Sequence, residues 1–119
     1  MSETDLKYAL LLAAPRELPT LRLFLRQVMR VKLKEPERTI AIGIKGQSDV
    51  YAIERGTARH IELETKDVHT VITPQQLAWR DFCLEWGIPH LFLRARAGES
   101  SEETVRRWCD EVRELLKSR

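Results

Sequence analysis

The chain has 119 residues, of which 43% are hydrophobic and 32% charged, with a formal net charge of +2. This is enough for one compact domain with a single core and too little for two, and the composition excludes a disordered chain. The apolar run 8–14 is far shorter than the ~20 residues a membrane span needs. Glu3 and Asp5 occupy the place where a secretory leader would be basic, so no leader is expected. Cys83 and Cys109 each fall on the apolar stripe of an expected helix, which predicts buried free thiols, no disulfide and an intracellular setting.

The first sixteen residues allow either a short helix or an oligomer contact. From Leu21, the apolar residues Phe24, Leu25, Val28 and Met29 recur at helical spacing, which predicts a helix over 20–31. Arg22, Arg26, Arg30, Lys32 and Lys34 accompany it without a single acid between Thr20 and Lys34. Such a face is either simply solvated or suited to a phosphate backbone. Replacing Arg22, Arg26 and Arg30 is expected to spare the fold. Strands follow at 39–44, 49–53 and 59–66, with Arg55-Gly56 turning the chain between the last two. Thr73, Pro74 and Gln76 form a capping box with proline at the first helical position. Leu77, Phe82, Cys83 and Trp86 supply that helix's apolar side, and Gly87 ends it. A short strand at 88–94 precedes a last helix opened by Ser100 and Glu103, with Val105, Trp108, Cys109, Val112, Leu115 and Leu116 as its buried stripe.

The predicted order is helix, three strands, helix, strand, helix. The first three strands are expected to form an antiparallel meander, and the crossover helix to bring the fourth strand in with mixed pairing. The fold class is therefore α/β, a single domain over 1–119 with its core at about 20–95, its last helix at about 100–117, and a central mixed sheet flanked by helices.

Counting by twos along 59–66 puts His60, Glu62, Glu64 and Lys66 on one face. That pattern fits a solvent-facing side. It also fits a site, provided a second acid arrives beside Glu64, and Asp49 opens the strand that hairpins onto this one. Two convergent carboxylates suit a hard divalent ion such as Mg²⁺. A lysine two residues after the second carboxylate places an ammonium beside a metal-bound water or a phosphorane. His60, His69 and His90 have no zinc spacing with either cysteine, and no glycine-rich phosphate loop suggests a nucleotide cofactor. Trp79, Trp86 and Trp108 lie within expected helices and read as core residues more than as base-stacking platforms.

Gly46-Gln47-Ser48-Asp49-Val50, then 61–66, then Thr73-Pro74-Gln75-Gln76 followed by Trp79, resembles the VRR-NUC branch of the PD-(D/E)xK nucleases. Gly87 ahead of the fourth strand also fits, and the resemblance covers 43–94, nearly half the chain. It implies a restriction-endonuclease-like core and a phosphodiesterase using Mg²⁺, with Mn²⁺ as substitute. Carried over, Asp49, Glu64 and the main-chain carbonyl of Thr65 are the implied metal ligands, and Lys66 is the implied catalytic lysine. Gln76 matches a glutamine near the active site, a role compatible with its capping box. Ser48 stands where many relatives carry proline. Glu62 doubles the acidic motif as an extra outer-shell acid or alternative ligand. Glu17 is the nearest candidate for a glutamate on the first helix, between Pro15 and Pro19, and Gln47 is a further possible member of the site.

Small stand-alone relatives look like phage or prophage proteins, some similar to Holliday-junction resolvases that work as dimers. The resemblance thus implies an endonuclease on structured or branched DNA, acting as a homodimer in repair or recombination. The alternative is a non-catalytic nucleic-acid-binding module retaining the nuclease fold.

Overall fold

The computed structural model of the chain describes residues 2–26, 29–34 and 37–117. In chain order these form α1 (Glu3–Glu17), β1 (Leu21–Leu25), β2 (Met29–Lys34), β3 (Glu37–Ile42), β4 (Val50–Glu54), β5 (His60–Lys66), α2 (Pro74–Glu85), β6 (His90–Arg94) and α3 (Ser101–Lys117). The architecture is α/β, with a four-stranded mixed sheet in the order β1-β4-β5-β6 and a separate ribbon of β2 and β3. β4 runs antiparallel to β1 and β5, while β6 joins β5 in parallel after the α2 crossover. No helix among the described residues is long and apolar enough to cross a membrane.

The first sixteen residues resolve as a helix for a local reason. Ser2 and Asp5 cap each other's backbone N–H groups at 3.1 and 3.4 Å, a capping box at the open end of α1. Leu6, Leu10 and Ala14, four residues apart, give α1 one buried stripe. Pro15 falls in its last turn and Pro19 lies just beyond its end.

The helix expected over 20–31 does not form. Leu21, Leu23 and Leu25 alternate with Arg22, Phe24 and Arg26, so the segment satisfies a period of two as well as one of 3.6. As β1 it completes a backbone ladder with β4, in the register Leu23↔Ala52 and Phe24↔Tyr51. Pairing along the sheet edge outweighs the local helical pattern, because β-strand preference is decided by what the strand packs against. The same correction moves 39–44 out of the expected meander: that stretch falls largely in β3, which pairs with β2, and β1 takes its place beside β4. Val28 lies outside the described residues.

One face of the sheet carries the core. Leu21, Val50, Ala52, Ile61, Leu63 and Leu93 pack there against Leu6 and Leu10 of α1 and against Val105, Trp108, Cys109 and Val112 of α3. Ser100 and Glu103 cap the α3 start, as the sequence predicts. Cys83 and Cys109 are free and buried. α2 meets the other face, where Trp79 reaches Glu62, and there the expectation of an apolar helix side needs correcting. α2 buries only Cys83, whereas Phe82 is exposed and Trp86 is 70% exposed. Trp79, Phe82 and Trp86 stack on one another along the helix flank at 5.3 and 5.7 Å.

The loop before β4 is fixed against α2 by Gly46. Its φ is +93°, and a Cβ there would sit 2.4 Å from the carbonyl oxygen of Gln75. Both the backbone sign and the close approach require glycine. Gly46→Ala is therefore expected to lower stability by about 2 kcal/mol or more. Denaturant unfolding at constant slope measures this, and an unchanged midpoint would contradict the packing described.

Candidate active site

β5 is the strand on which the site is built. Its alternating charged face is not a solvent face, because Glu62, Glu64 and Lys66 are all buried, Glu62 to 1% exposure. Four donors meet the Glu62 carboxylate. Arg26 binds it with both terminal nitrogens, at 2.5 and 2.9 Å, Trp79 Nε1 donates to it at 3.1 Å, and His60 Nε2 contacts it on the other side. Burial would raise the Glu62 carboxyl, but the Arg26, His60 and Trp79 hydrogen bonds outweigh this and hold it below the ordinary carboxylate range. The Arg26 guanidinium lies over the rings of Tyr51 and Trp79, 4.8 and 5.9 Å from their centroids, a cation–π contact with each. It also donates to the Ser48 carbonyl at 2.7 Å. Its own N–H bonds the Asp49 carbonyl at 2.8 Å.

These contacts bear on the two alternatives for Glu62 and correct the expectation for Arg26. Glu62 has its lone pairs taken and is not placed as a metal ligand. Arg26 is a half-buried partner of Glu62 and does not belong to a free basic face. Of the other basic residues, Arg22 is exposed on β1, with its guanidinium 5.8 Å from the Phe24 ring centroid. Lys32 and Lys34 are exposed on β2. Arg30 lies in β2, and its side chain is outside the described set. The five basic residues thus share no helix face.

Asp49 and Glu64 do meet. The Asp49 N–H donates to Glu64 Oε2 at 3.0 Å. The Asp49 carboxylate accepts from the Thr65 N–H at 3.3 Å and from Thr65 Oγ1 at 2.9 Å. Because the N–H and C=O of a residue in an extended strand point to the same side, the Thr65 carbonyl also faces the Asp49 side. Burial first, and the neighbouring Asp49 carboxylate second, push the Glu64 carboxyl up to about 8. Lys66, two residues on and on the same face, is 2% exposed and donates to the Val71 carbonyl at 3.4 Å.

Gln76 performs both of the tasks weighed for it. Its Oε1 accepts from the Thr73 N–H at 3.0 Å, closing the capping box, while its Nε2 donates to Glu64 Oε1 at 2.7 Å. An amide offers an acceptor and donors at opposite corners, so the roles do not compete. Gln47 instead stays within its own turn, where its Oε1 accepts from the Ile44 N–H at 3.1 Å. Glu17 is also not in the site. It ends α1 in an ion pair with Arg113 of α3 at 3.0 Å, roughly 15 Å along the helix from Lys7.

Lys7 is the residue the sequence did not disclose. Its Nζ lies 3.4 Å from Asp49 Oδ2, with only 18% of its side chain exposed. Nothing in the 1–16 segment marks it, because the contact exists only once α1 packs on the sheet.

Among the described residues no group of three or more His, Cys, Asp or Glu side chains gathers to hold a metal ion. The acidic donors stop at two. A pair of carboxylates with one main-chain oxygen nevertheless suits a hard cation that keeps several waters, as Mg²⁺ does. The chain matches no protein-family model, no curated protein and no solved structure.

Two predictions follow from the charges. Removing one partner of a buried ion pair leaves the other uncompensated, so Arg26→Gln is expected to cost about 3 kcal/mol. Arg22→Gln, on an exposed side chain, is expected to stay within about 0.5 kcal/mol. Chemical unfolding of the two variants side by side checks the contrast, which reverses the expectation that all the arginines are dispensable for folding.

For Glu64 the folded value lies above the ordinary 4.5. Its protonated form therefore contributes stability in full below about pH 4.5, and that contribution is lost as pH rises through about 8. Glu64→Gln should thus be more stable than the parent at alkaline pH in chelator, by on the order of 2 kcal/mol, with the gain vanishing in acid. Thermal melts across that range decide it; a parallel pH dependence in both proteins would remove the basis for the shift.

Proposed function

We propose that this chain is a divalent-metal-dependent nuclease of the PD-(D/E)xK superfamily, VRR-NUC branch, hydrolysing phosphodiester bonds in DNA. The observation that carries the reading is the burial of Glu64 and Lys66 on a central strand, with Asp49 brought against Glu64. A solvated strand face would leave those charges in water. Burying a carboxylate that cannot ionise freely beside another is costly for a purely structural role and is common where chemistry needs it.

In this reading Asp49, Glu64 and the Thr65 carbonyl hold Mg²⁺, with Mn²⁺ as a substitute. The bound ion would supply Lewis acidity and an ionised water. Lys66 lies beside Glu64, where its ammonium orients the attacking water or stabilises charge building on the phosphorus oxygens. Gln76 fixes the direction of the Glu64 carboxylate from the start of α2. Thr65 fixes Asp49 through two hydrogen bonds. The resemblance further suggests branched DNA as substrate and a pair of identical chains as the acting unit, with Arg22, Lys32 and Lys34 as exposed cations available to the backbone.

The test uses labelled DNA and RNA, linear and branched, with Mg²⁺, Mn²⁺ or chelator. Cleavage is expected only with metal. Lys66→Ala should lower the rate by about 10²–10³ while DNA affinity stays within a few-fold, because the lysine acts on charge present in the transition state. Lys66→Met, which keeps the buried stem's volume, serves as the control for packing. Asp49→Asn should be inactive through loss of the metal. Metal-independent binding with no cutting of any substrate would replace the nuclease with a binding module on the same fold.

A further inference from the structure

We propose that Lys7 is a built-in counter-ion that holds the cation's place at Asp49 and thereby makes metal capture depend on the arrival of a phosphodiester. This rests on the metal-dependent reading above and assigns a positioning residue to that same site. Lys7 sits one residue after Leu6 and three before Leu10, the two buried leucines that seat α1 on the core. Its stem therefore leaves a fixed helix, and its ammonium reaches Asp49 Oδ2 at 3.4 Å.

The site holds two acids, Asp49 and Glu64, and two cations, Lys7 and Lys66, so once Glu64 gives up its proton to admit a metal the four side chains cancel. A divalent ion added to them leaves an excess of two positive charges in a place where Glu64 and Lys66 are buried. Like charges at such range repel strongly when water is scarce. The excess falls when Lys7 withdraws from Asp49, and it falls further when an anionic phosphodiester enters. An ammonium released from Asp49 is then available to that phosphate. Metal and nucleic acid consequently raise each other's affinity by the same factor, as linkage requires.

The experiment measures Mn²⁺ binding by calorimetry near neutral pH at fixed ionic strength. It compares the parent, Lys7→Gln, Lys7→Arg and Asp49→Asn, with and without a phosphorothioate oligonucleotide. Lys7→Gln should bind Mn²⁺ roughly tenfold more tightly than the parent without oligonucleotide. Lys7→Arg, which keeps the charge, should resemble the parent. The oligonucleotide should tighten Mn²⁺ binding in the parent and do so less in Lys7→Gln. If the parent binds Mn²⁺ and Asp49→Asn does not, yet Lys7→Gln matches the parent or binds more weakly, the role given to Lys7 is overturned and the metal site stands. If neither the parent nor Lys7→Gln binds Mn²⁺, the metal-dependent reading falls and takes the counter-ion with it.

Discussion

A carboxylate at 1% exposure has to be compensated, and the way Glu62 is compensated organises the whole polar face of the sheet. Arg26 reaches it from the end of β1, His60 from its own strand and Trp79 from α2. Three elements far apart in sequence are thereby tied to a single anion. Arg26 continues the tie by bonding the Ser48 carbonyl with its guanidinium and the Asp49 carbonyl with its backbone N–H, so the main chain that carries Asp49 is held by the same residue. Trp79 sits three residues after Gln76, the residue that orients Glu64. The ion pair thus ties β1, β5 and α2 to the segment that leads into β4.

Glu62 and Glu64 show how two identical side chains, two residues apart on one strand, come to opposite electrostatic ends. Both lose water. Glu62 gains a bidentate cation that holds its carboxyl below the ordinary range, whereas Glu64 gains a neutral amide and a second acid, and its carboxyl is pushed up to about 8. The difference lies in which partner each meets, because desolvation acts on both in the same direction. A strand that alternates charge along one face can therefore carry two carboxyl groups shifted in opposite directions side by side.

Much of the arrangement at the candidate site was legible in the sequence. The spacing of Asp49, Glu64 and Lys66 survived into the structure because the hairpin of β4 and β5 is local, and the Thr73–Gln76 box did so because a cap is decided within four residues. The strand over 59–66 and the α3 stripe were readable for the same reason. What was hidden depends on long-range pairing. Leu21–Leu25 satisfies helix and strand periodicities equally, and only the β4 edge decides between them. Arg26 and Glu62, thirty-six residues apart, gave no sign of each other. Lys7 was invisible until α1 had a surface to lie on, and α2 was credited with an apolar side that it leaves largely in solvent.

That last feature bears on how the site behaves in time. α2 buries a single side chain, Cys83, and its first turn is held by the same Gln76 amide that orients Glu64. Elements with few buried apolar contacts open locally at a lower cost than the core does. Fraying of that first turn would release Glu64 at once, while the leucine and tryptophan layer under α1 and α3 stayed intact. The setting of Glu64 is thus a property of one thinly anchored helix, and it can be lost and regained in a molecule that remains folded throughout.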